Sequence, residues 1–366
     1  MRKNEIAFMA LGGGQSVGAS CYFLRLGNSA LLLDCGIGIG GGRKFTPRTD
    51  LPVEAGLIGN MNDIDQVYIS HAHLDHAGFW RNFAAKFNHP LFYMTNITLA
   101  LSRSQSDTPI DDFYAERVRC VSYGQEISFD NYRVSFAEAG HIPGAMMVLL
   151  NFGRRNILYT GDYSLNPTLW TGGCRLPDAT VDILIVCGLH ARHPHTGQST
   201  NTPQRLLAQI RDALHEQKSV YLSASQLSKG LEFIRLLGSS DLSEYPIFLE
   251  PSMYKIINPM ESLGIPILTE NIAPFEHLRS HAPHIVFGKD KYAPDYGYTV
   301  LKVDFTLHDN FAATVDFVKR INPRLAIFVH SPPAPLDDYT VEQVLLRDGD
   351  CRTQCIFAHT GEVYIL

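Results

Sequence analysis

Four potential metal ligands fall within six positions, His71, His73, Asp75 and His76, directly after the apolar run at 67–69. Imidazole and carboxylate groups are costly to crowd together unless a cation neutralises or orients them. A strand ending in a sharp turn would aim His71 and His73 at one point, with Asp75 and His76 aimed at a second point nearby. Two such points suit a pair of metal ions sharing a bridging hydroxide. The segment therefore asks for a fold in which strand ends converge on one cleft. A solvated, histidine-rich loop is the plainer reading, and it leaves the matching residues downstream unexplained.

Those residues are His141, Asp162 and His330, which follow the apolar runs at 134–139, 157–160 and 325–329. A lone histidine past a strand is more often structural. Seven residues of suitable chemistry in the same relation to strands are hard to dismiss.

A chain of 366 residues exceeds the usual size of one hydrophobic core, so two lobes are expected. With 45% hydrophobic and 19% charged residues it reads as an ordinary globular protein, and no apolar run approaches bilayer-spanning length. The N-terminal segment leads straight into a strand-like run without a signal-peptide cleavage site, so the expectation is a cytoplasmic protein with no membrane partner. Seven cysteines form no CxxC pair, which favours reduced, mostly buried thiols, with Cys351 and Cys355 a weak metal candidate. A net charge of −6 draws no nucleic acid globally. It leaves open a nuclease whose metals and local groove supply the positive charge.

Short apolar runs separated by turns predict strands at 6–11, 21–26, 30–34, 90–95, 127–129, 132–137, 146–151 and 156–160. The glycine-rich stretch 36–48 reads as a mobile lid or a disordered loop, and 77–87 as a short helix. Near residue 190 the pattern changes to alternating helix and strand: helices at 204–217 and 228–237, strands at 219–223 and 245–250. Residues 251–297 carry no assignable pattern. A strand at 300–305, a helix at 312–321, a strand at 325–330 and a closing hairpin at 355–365 read as a return to the first lobe.

The HxHxDH turn, the opening hairpins around Gly12-Gly13-Gly14 and Asp34, and Thr160-Gly161-Asp162 resemble the metallo-β-lactamase superfamily. The stretch 219–234, with Phe305-Thr306-Leu307-His308-Asp309 and Phe328-Val329-His330, resembles its β-CASP branch, which includes ribonuclease J and the endonuclease of messenger-RNA 3′-end processing. The resemblance implies an α/β fold, a metallo-β-lactamase αββα sandwich with an inserted, abbreviated β-CASP-like α/β cap. The sandwich would occupy 1–190 and 299–366, and the cap 191–298. It implies two divalent ions, zinc favoured, with His71, His73 and His141 on the first, Asp75, His76 and His330 on the second, and Asp162 bridging. Their shared hydroxide would attack a phosphodiester. Asp75 and His308 would be the catalytic residues, His308 protonating the leaving oxygen, while Asp34 would orient the ligand turn or merely stabilise its hairpin.

Two positions depart from the branch. Cys187 stands where an acidic residue is expected, so His308 would titrate as an ordinary imidazole or borrow Asp309 or the loop 190–195; a buried structural thiol is the favoured reading of Cys187, a redox-sensitive one the alternative. His330 leads into Ser331-Pro332-Pro333, which stiffens the loop and removes backbone donors for phosphate. Basic residues near the cap, Arg192, Lys229 and Arg235, are too sparse for a phosphate track. Three functions follow: a dinuclear phosphodiesterase acting on RNA or single-stranded nucleic acid, a hydrolase of a small-molecule ester, lactone or phosphodiester, and an inactive scaffold. Homo-oligomerisation stays open, and no substrate-binding residue is assigned.

Overall fold

Ile6–Gly12, Cys21–Leu26 and Ser29–Leu33 are the apolar runs of the opening segment, and they pair antiparallel as successive hairpins. The computed structural model describes residues 4–40, 42–105, 112–194, 202–224, 226–267, 271–279, 282–305, 309–333, 340–348 and 352–366. In it these strands join a seven-stranded sheet in the order Val363–Ile365, Ile6–Gly12, Cys21–Leu26, Ser29–Leu33, Gln66–Tyr68, Leu91–Thr95, Val118–Val121. A second seven-stranded sheet runs Gln354–Phe357, Leu325–Val329, Ile183–Cys187, Arg155–Tyr159, Met146–Phe152, Arg133–Glu138, Glu126–Ser128.

Side chains alternate across each strand, so one set from each sheet meets in the middle. Phe8, Tyr22, Leu24 and Tyr68 of the first sheet pack there against Phe136, Val148, Ile157 and Ile185 of the second. The opposite set on each sheet is covered by helices. Trp80 and Phe83 of helix Trp80–Lys86 close over Met9, Phe23 and Leu32, and Phe317 and Val318 of helix Phe311–Ile321 close over Leu184 and Phe328. The result is the expected αββα sandwich.

A third sheet of five parallel strands is ordered Ile272–Pro274, Ile247–Leu249, Ile285–Gly288, Ser219–Ser223, Tyr298–Lys302. Its first helix, Pro203–His215, starts where Thr202 accepts a hydrogen bond from the Arg205 N–H and Pro203 takes the first helical turn. One apolar cluster runs unbroken from Leu184 and Phe328 of the sandwich to Leu222, Phe233 and Phe287 around the third sheet. Helix Asn96–Ser104 of the sandwich also packs against helix Pro251–Ser262 beside that sheet.

Several expectations need correcting. The strand expected at 300–305 as the start of the return to the first lobe is Tyr298–Lys302, and it pairs with Ser219–Ser223 in the third sheet. The closing hairpin at 355–365 does not form. Gln354–Phe357 extends the second sheet beside Leu325–Val329, whereas Val363–Ile365 crosses to the first sheet beside Ile6–Gly12. Apolar alternation reports that a strand is half-buried, not which partner it takes. The glycine-rich stretch 36–48 contains a two-stranded ribbon, Gly38–Gly40 with Arg43–Phe45. The helix at 77–87 is split into Leu74–Ala77 and Trp80–Lys86. Helices Asn96–Ser104, Pro251–Ser262 and Val341–Arg347 and strand Val118–Val121 had no sequence expectation. Among the described residues no helix is long and apolar enough to cross a membrane.

Candidate metal centre

Gln66–Tyr68 lies between Ser29–Leu33 and Leu91–Thr95, paired parallel with both, so the chain leaves the sheet at one edge of the sandwich. Extended backbone continues through His73, whose φ of −60° and ψ of 146° precede helix Leu74–Ala77. Residues two apart in extended chain share a face, which brings His71 and His73 together. The helical turn then redirects Asp75 and His76 to a second point. Backbone bonds fix this turn: the Ser20 N–H donates to the Asp75 carbonyl, Cys35 to His76, and Ile37 to Leu74, at 2.8–2.9 Å.

Two glycines permit the approach of neighbouring segments. A Cβ on Gly36 would fall onto the Asp75 carbonyl, and one on Gly161 would meet the Ser70 side chain beside His71. Gly161 also has a φ of +55°.

The first cluster is His71, His73 and His141. His71 Nε2 lies 3.0 Å from His73 Nδ1, and His141 Nε2 lies 3.3 Å from that same nitrogen. The Ser70 hydroxyl donates to Asp34 Oδ2 at 2.7 Å and lies 3.0 Å from His71 Nδ1. That hydroxyl must therefore accept from the His71 Nδ1–H, which leaves a lone pair on His71 Nε2 facing the cluster. Burial first, and then the neighbouring imidazoles of His76 and His73, push the His71 imidazole well below its usual range, so it is neutral. Burial likewise lowers His73. Neutral, converging imidazole nitrogens are a cation-binding arrangement.

The second cluster is Asp75, His76 and His330. His330 follows strand Leu325–Val329 of the second sheet with a φ of +53°, a left-handed conformation unusual for a side chain of this size. Its N–H donates to the Gly13 carbonyl at 2.5 Å, which explains the glycine-rich turn. His330 Nδ1 is 3.4 Å from Asp162 Oδ1, and Nε2 is 3.6 Å from Asp75 Oδ2. Asp162 stands between the clusters: Oδ2 lies 3.9 and 3.8 Å from the Nε2 atoms of His71 and His141, whereas Oδ1 lies 3.5 Å from His76 Nε2.

Asp34 is fully buried, has a φ of +63°, and is saturated with donors. It accepts from the Ser70 N–H, the Ser70 hydroxyl and the Tyr159 hydroxyl at 2.6, 2.7 and 2.5 Å, and His76 Nδ1 lies 2.6 Å away. His76 thus gives its Nδ1–H to Asp34 and turns Nε2 toward Asp75 and Asp162. Burial opposes protonation of His76, but Asp162, Asp75 and Asp34 outweigh it and raise its pKa to about 10. Burial also opposes ionisation of Asp75, which the imidazoles of His76, His330 and His73 nevertheless hold below the usual carboxylate range. Asp162, Asp75 and Asp34 thus surround His76 with carboxylate oxygens, a charge distribution that a bound cation would offset. Among the described residues, His76 Nε2 and both ring nitrogens of His330 are buried without a hydrogen-bond partner. Donor chemistry and orphaned nitrogens together fit the binding of metal cations.

All seven expected ligands are therefore brought together, with Asp34 behind them. His308 lies outside the described residues. Asp309 takes a hydrogen bond from the Leu165 N–H at 2.7 Å and lines a small cavity with Cys187, His190, Tyr163 and Thr314. Burial pushes the Asp309 carboxyl up to about 6. Of the basic residues noted near the cap, Lys229 pairs with Asp304, Arg235 stacks on Trp170 and Arg192 on Phe357. Sequence reasoning missed Ser70 and Tyr159, the donors that hold Asp34. Polar residues at the ends of two apolar runs were their available signal. It also left Cys187 outside the ligand set, yet its sulfur lies within 4.8 Å of ligand atoms of Asp162 and His330.

A family model described as the metallo-beta-lactamase superfamily matches residues 15–202, which contain six of the seven clustered residues. The chain belongs to this superfamily. Similar proteins include Cleavage and polyadenylation specificity factor 73 of Drosophila melanogaster, 28% identical over 67% of this chain and 38% of that one. Endoribonuclease YSH1 of Yarrowia lipolytica is 24% identical over 74% of this chain and 34% of its own length. An RNase J-like protein of Methanocaldococcus jannaschii is 25% identical over 76% of this chain and 68% of its own. The chain thus spans about a third of the length of the first two relatives. A crystal structure of a protein of unknown function from Enterococcus faecalis V583 matches with a TM-score of 0.66 at 14% identity, covering 99% of this chain and 100% of that one, which speaks to the fold.

Proposed function

We propose that this superfamily member is a dinuclear metal-dependent hydrolase of phosphodiesters, acting on RNA. The reading rests on Asp162, whose two oxygens each face a different cluster of nitrogen and oxygen donors, as one carboxylate shared by two cations requires. His71, His73 and His141 would hold the first cation, and Asp75, His76 and His330 the second. Two bound divalent cations supply Lewis acidity to the substrate and an activated water as nucleophile. Zinc suits the histidine-rich set.

The chain's own residues do the rest. Asp34 fixes the His76 tautomer and so the direction of its Nε2. Ser70 does the same for His71. Asp75, ionised and facing His76 and His330, keeps the second cluster negative enough to attract a cation. His308 keeps the role of proton donor to the leaving oxygen, and residues 191–298, with the last strand of the third sheet running on to Lys302, form the cap. RNA follows from the named relatives, two of which are an endoribonuclease and an RNase J-like protein.

The deciding experiment loads the chain with zinc, counts the ions, and assays RNA, single-stranded DNA and small esters. Two ions with RNA cleavage are expected. Two ions with ester or lactone hydrolysis alone would replace RNA by a small-molecule substrate.

A further inference from the structure

Cys187 closes strand Ile183–Cys187 at the same sheet edge from which Asp162 and His330 emerge. Its strand pairs with Arg155–Tyr159 on one side and Leu325–Val329 on the other, both parallel. Three adjacent parallel strands therefore deliver Asp162, Cys187 and His330 side by side, each at or just past a C-terminal end. A carboxylate oxygen, the thiol sulfur and an imidazole nitrogen lie within 4.8 Å of one another, and all three residues are buried.

A structural thiol would have its sulfur among carbons. Here the sulfur lies beside the Asp162 carboxylate and an imidazole whose two nitrogens are buried with no hydrogen-bond partner among the described residues. The Leu189 backbone N–H also points at the sulfur, a contact that favours a thiolate over a thiol.

We propose that Cys187 is a ligand of the second cation, adding a thiolate to Asp75, His76, His330 and the shared Asp162. The inference rests on the two-cation reading above and goes beyond the seven-residue set. On coordination the sulfur–metal bond forms as the sulfur–hydrogen bond breaks, and the proton leaves to solvent. A soft sulfur donor makes the second site prefer zinc or cobalt over manganese and magnesium, which take hard oxygen shells. The acidic residue expected at this position has thus been exchanged for a device that selects the metal.

X-ray absorption on the zinc-loaded full chain tests this directly. The expected spectrum contains one sulfur at about 2.3 Å for every two zinc ions. That signal should vanish in Cys187→Ser and in Cys187→Ala, and persist in Cys174→Ser, a control for the remaining thiols. Cys187→Asp should also shift competition toward manganese, raising the manganese-to-zinc ratio about tenfold. Two zinc ions with nitrogen and oxygen neighbours alone would overturn the proposal and leave the two-cation reading standing. One zinc with a sulfur neighbour that Cys187→Ser removes would overturn the two-cation reading and keep Cys187 as a ligand. A sulfur signal surviving both Cys187 variants would assign it to another cysteine and overturn the proposal.

Discussion

At the scale of residues the centre is a set of buried groups that make sense together and not singly. Removing Asp162 takes one oxygen from each cluster, so Asp162→Ala should abolish hydrolysis and lower bound metal, read by elemental analysis. Retention of two ions would show that the carboxylate is not shared. Asp34→Asn keeps the volume but loses the charge that orients His76, and metal affinity should fall about 10–100-fold in a chelator competition. Full affinity would reduce Asp34 to a stabiliser of its hairpin.

Asp309 supplies a pH-dependent test. Burial raises its carboxyl from 3.8 to about 6, so the folded state binds its proton more tightly than the unfolded chain does. The stability this contributes is complete below the unfolded value and is lost as pH rises through about 6. Asp309→Asn should therefore melt higher than the parent chain at neutral pH and lose that advantage toward pH 3.8. Thermal melts across that range decide it, and a gap independent of pH would show that the carboxyl is not strained by burial.

At the scale of elements the centre depends on how strand ends and turns are locked to one another. The loop after Ser29–Leu33 runs so close to the HxHxDH turn that Gly36 has no room for a side chain. Gly36→Ala should displace the Asp75 carbonyl and with it Asp75 and His76. The expected result is loss of the second cation with a smaller effect on the first, measured as a drop in metal stoichiometry. Unchanged stoichiometry would mean the turn has slack that the backbone bonds from Ser20, Cys35 and Ile37 do not suggest.

Most of this level was legible in the sequence, because period-2 apolar runs and turn residues are local signals. The ligand turn, His141, Asp162 and His330 could all be found from their position just after such runs. What could not be found depends on partners distant in sequence. Val363–Ile365 looks like the second arm of a hairpin, and its assignment to the first sheet is settled by packing against Ile6–Gly12. Helix Asn96–Ser104 has only a short apolar pair, Ile97 and Leu101, to announce it, and is held by Thr95, which accepts from the Thr98 N–H, and by contact with Pro251–Ser262. Cys187 departs from the pattern of the branch it resembles, whereas its meaning lies in the strands on either side.

At the scale of the whole molecule, the sandwich and the third sheet share one apolar cluster, so cation binding at the sheet edge should stabilise both. Saturating zinc at roughly a thousandfold excess over Kd should add about 4 kcal/mol to unfolding. A chelator should reverse this, seen as a lowered thermal midpoint in both the far- and near-ultraviolet circular dichroism. A chelator-insensitive midpoint would argue against tight cation binding.

The strand that ends at His330 is made only after the entire third sheet. During synthesis the first six members of the seven-residue set emerge by residue 162, so a ribosome holds an incomplete metal nest while residues 163–329 appear. A nascent chain with four imidazoles and two carboxylates already placed could capture a cation early, at the first cluster, and wait. The second cation can settle only when Leu325–Val329 docks beside Ile183–Cys187. The order in which the metals arrive would then record the order in which the protein was made.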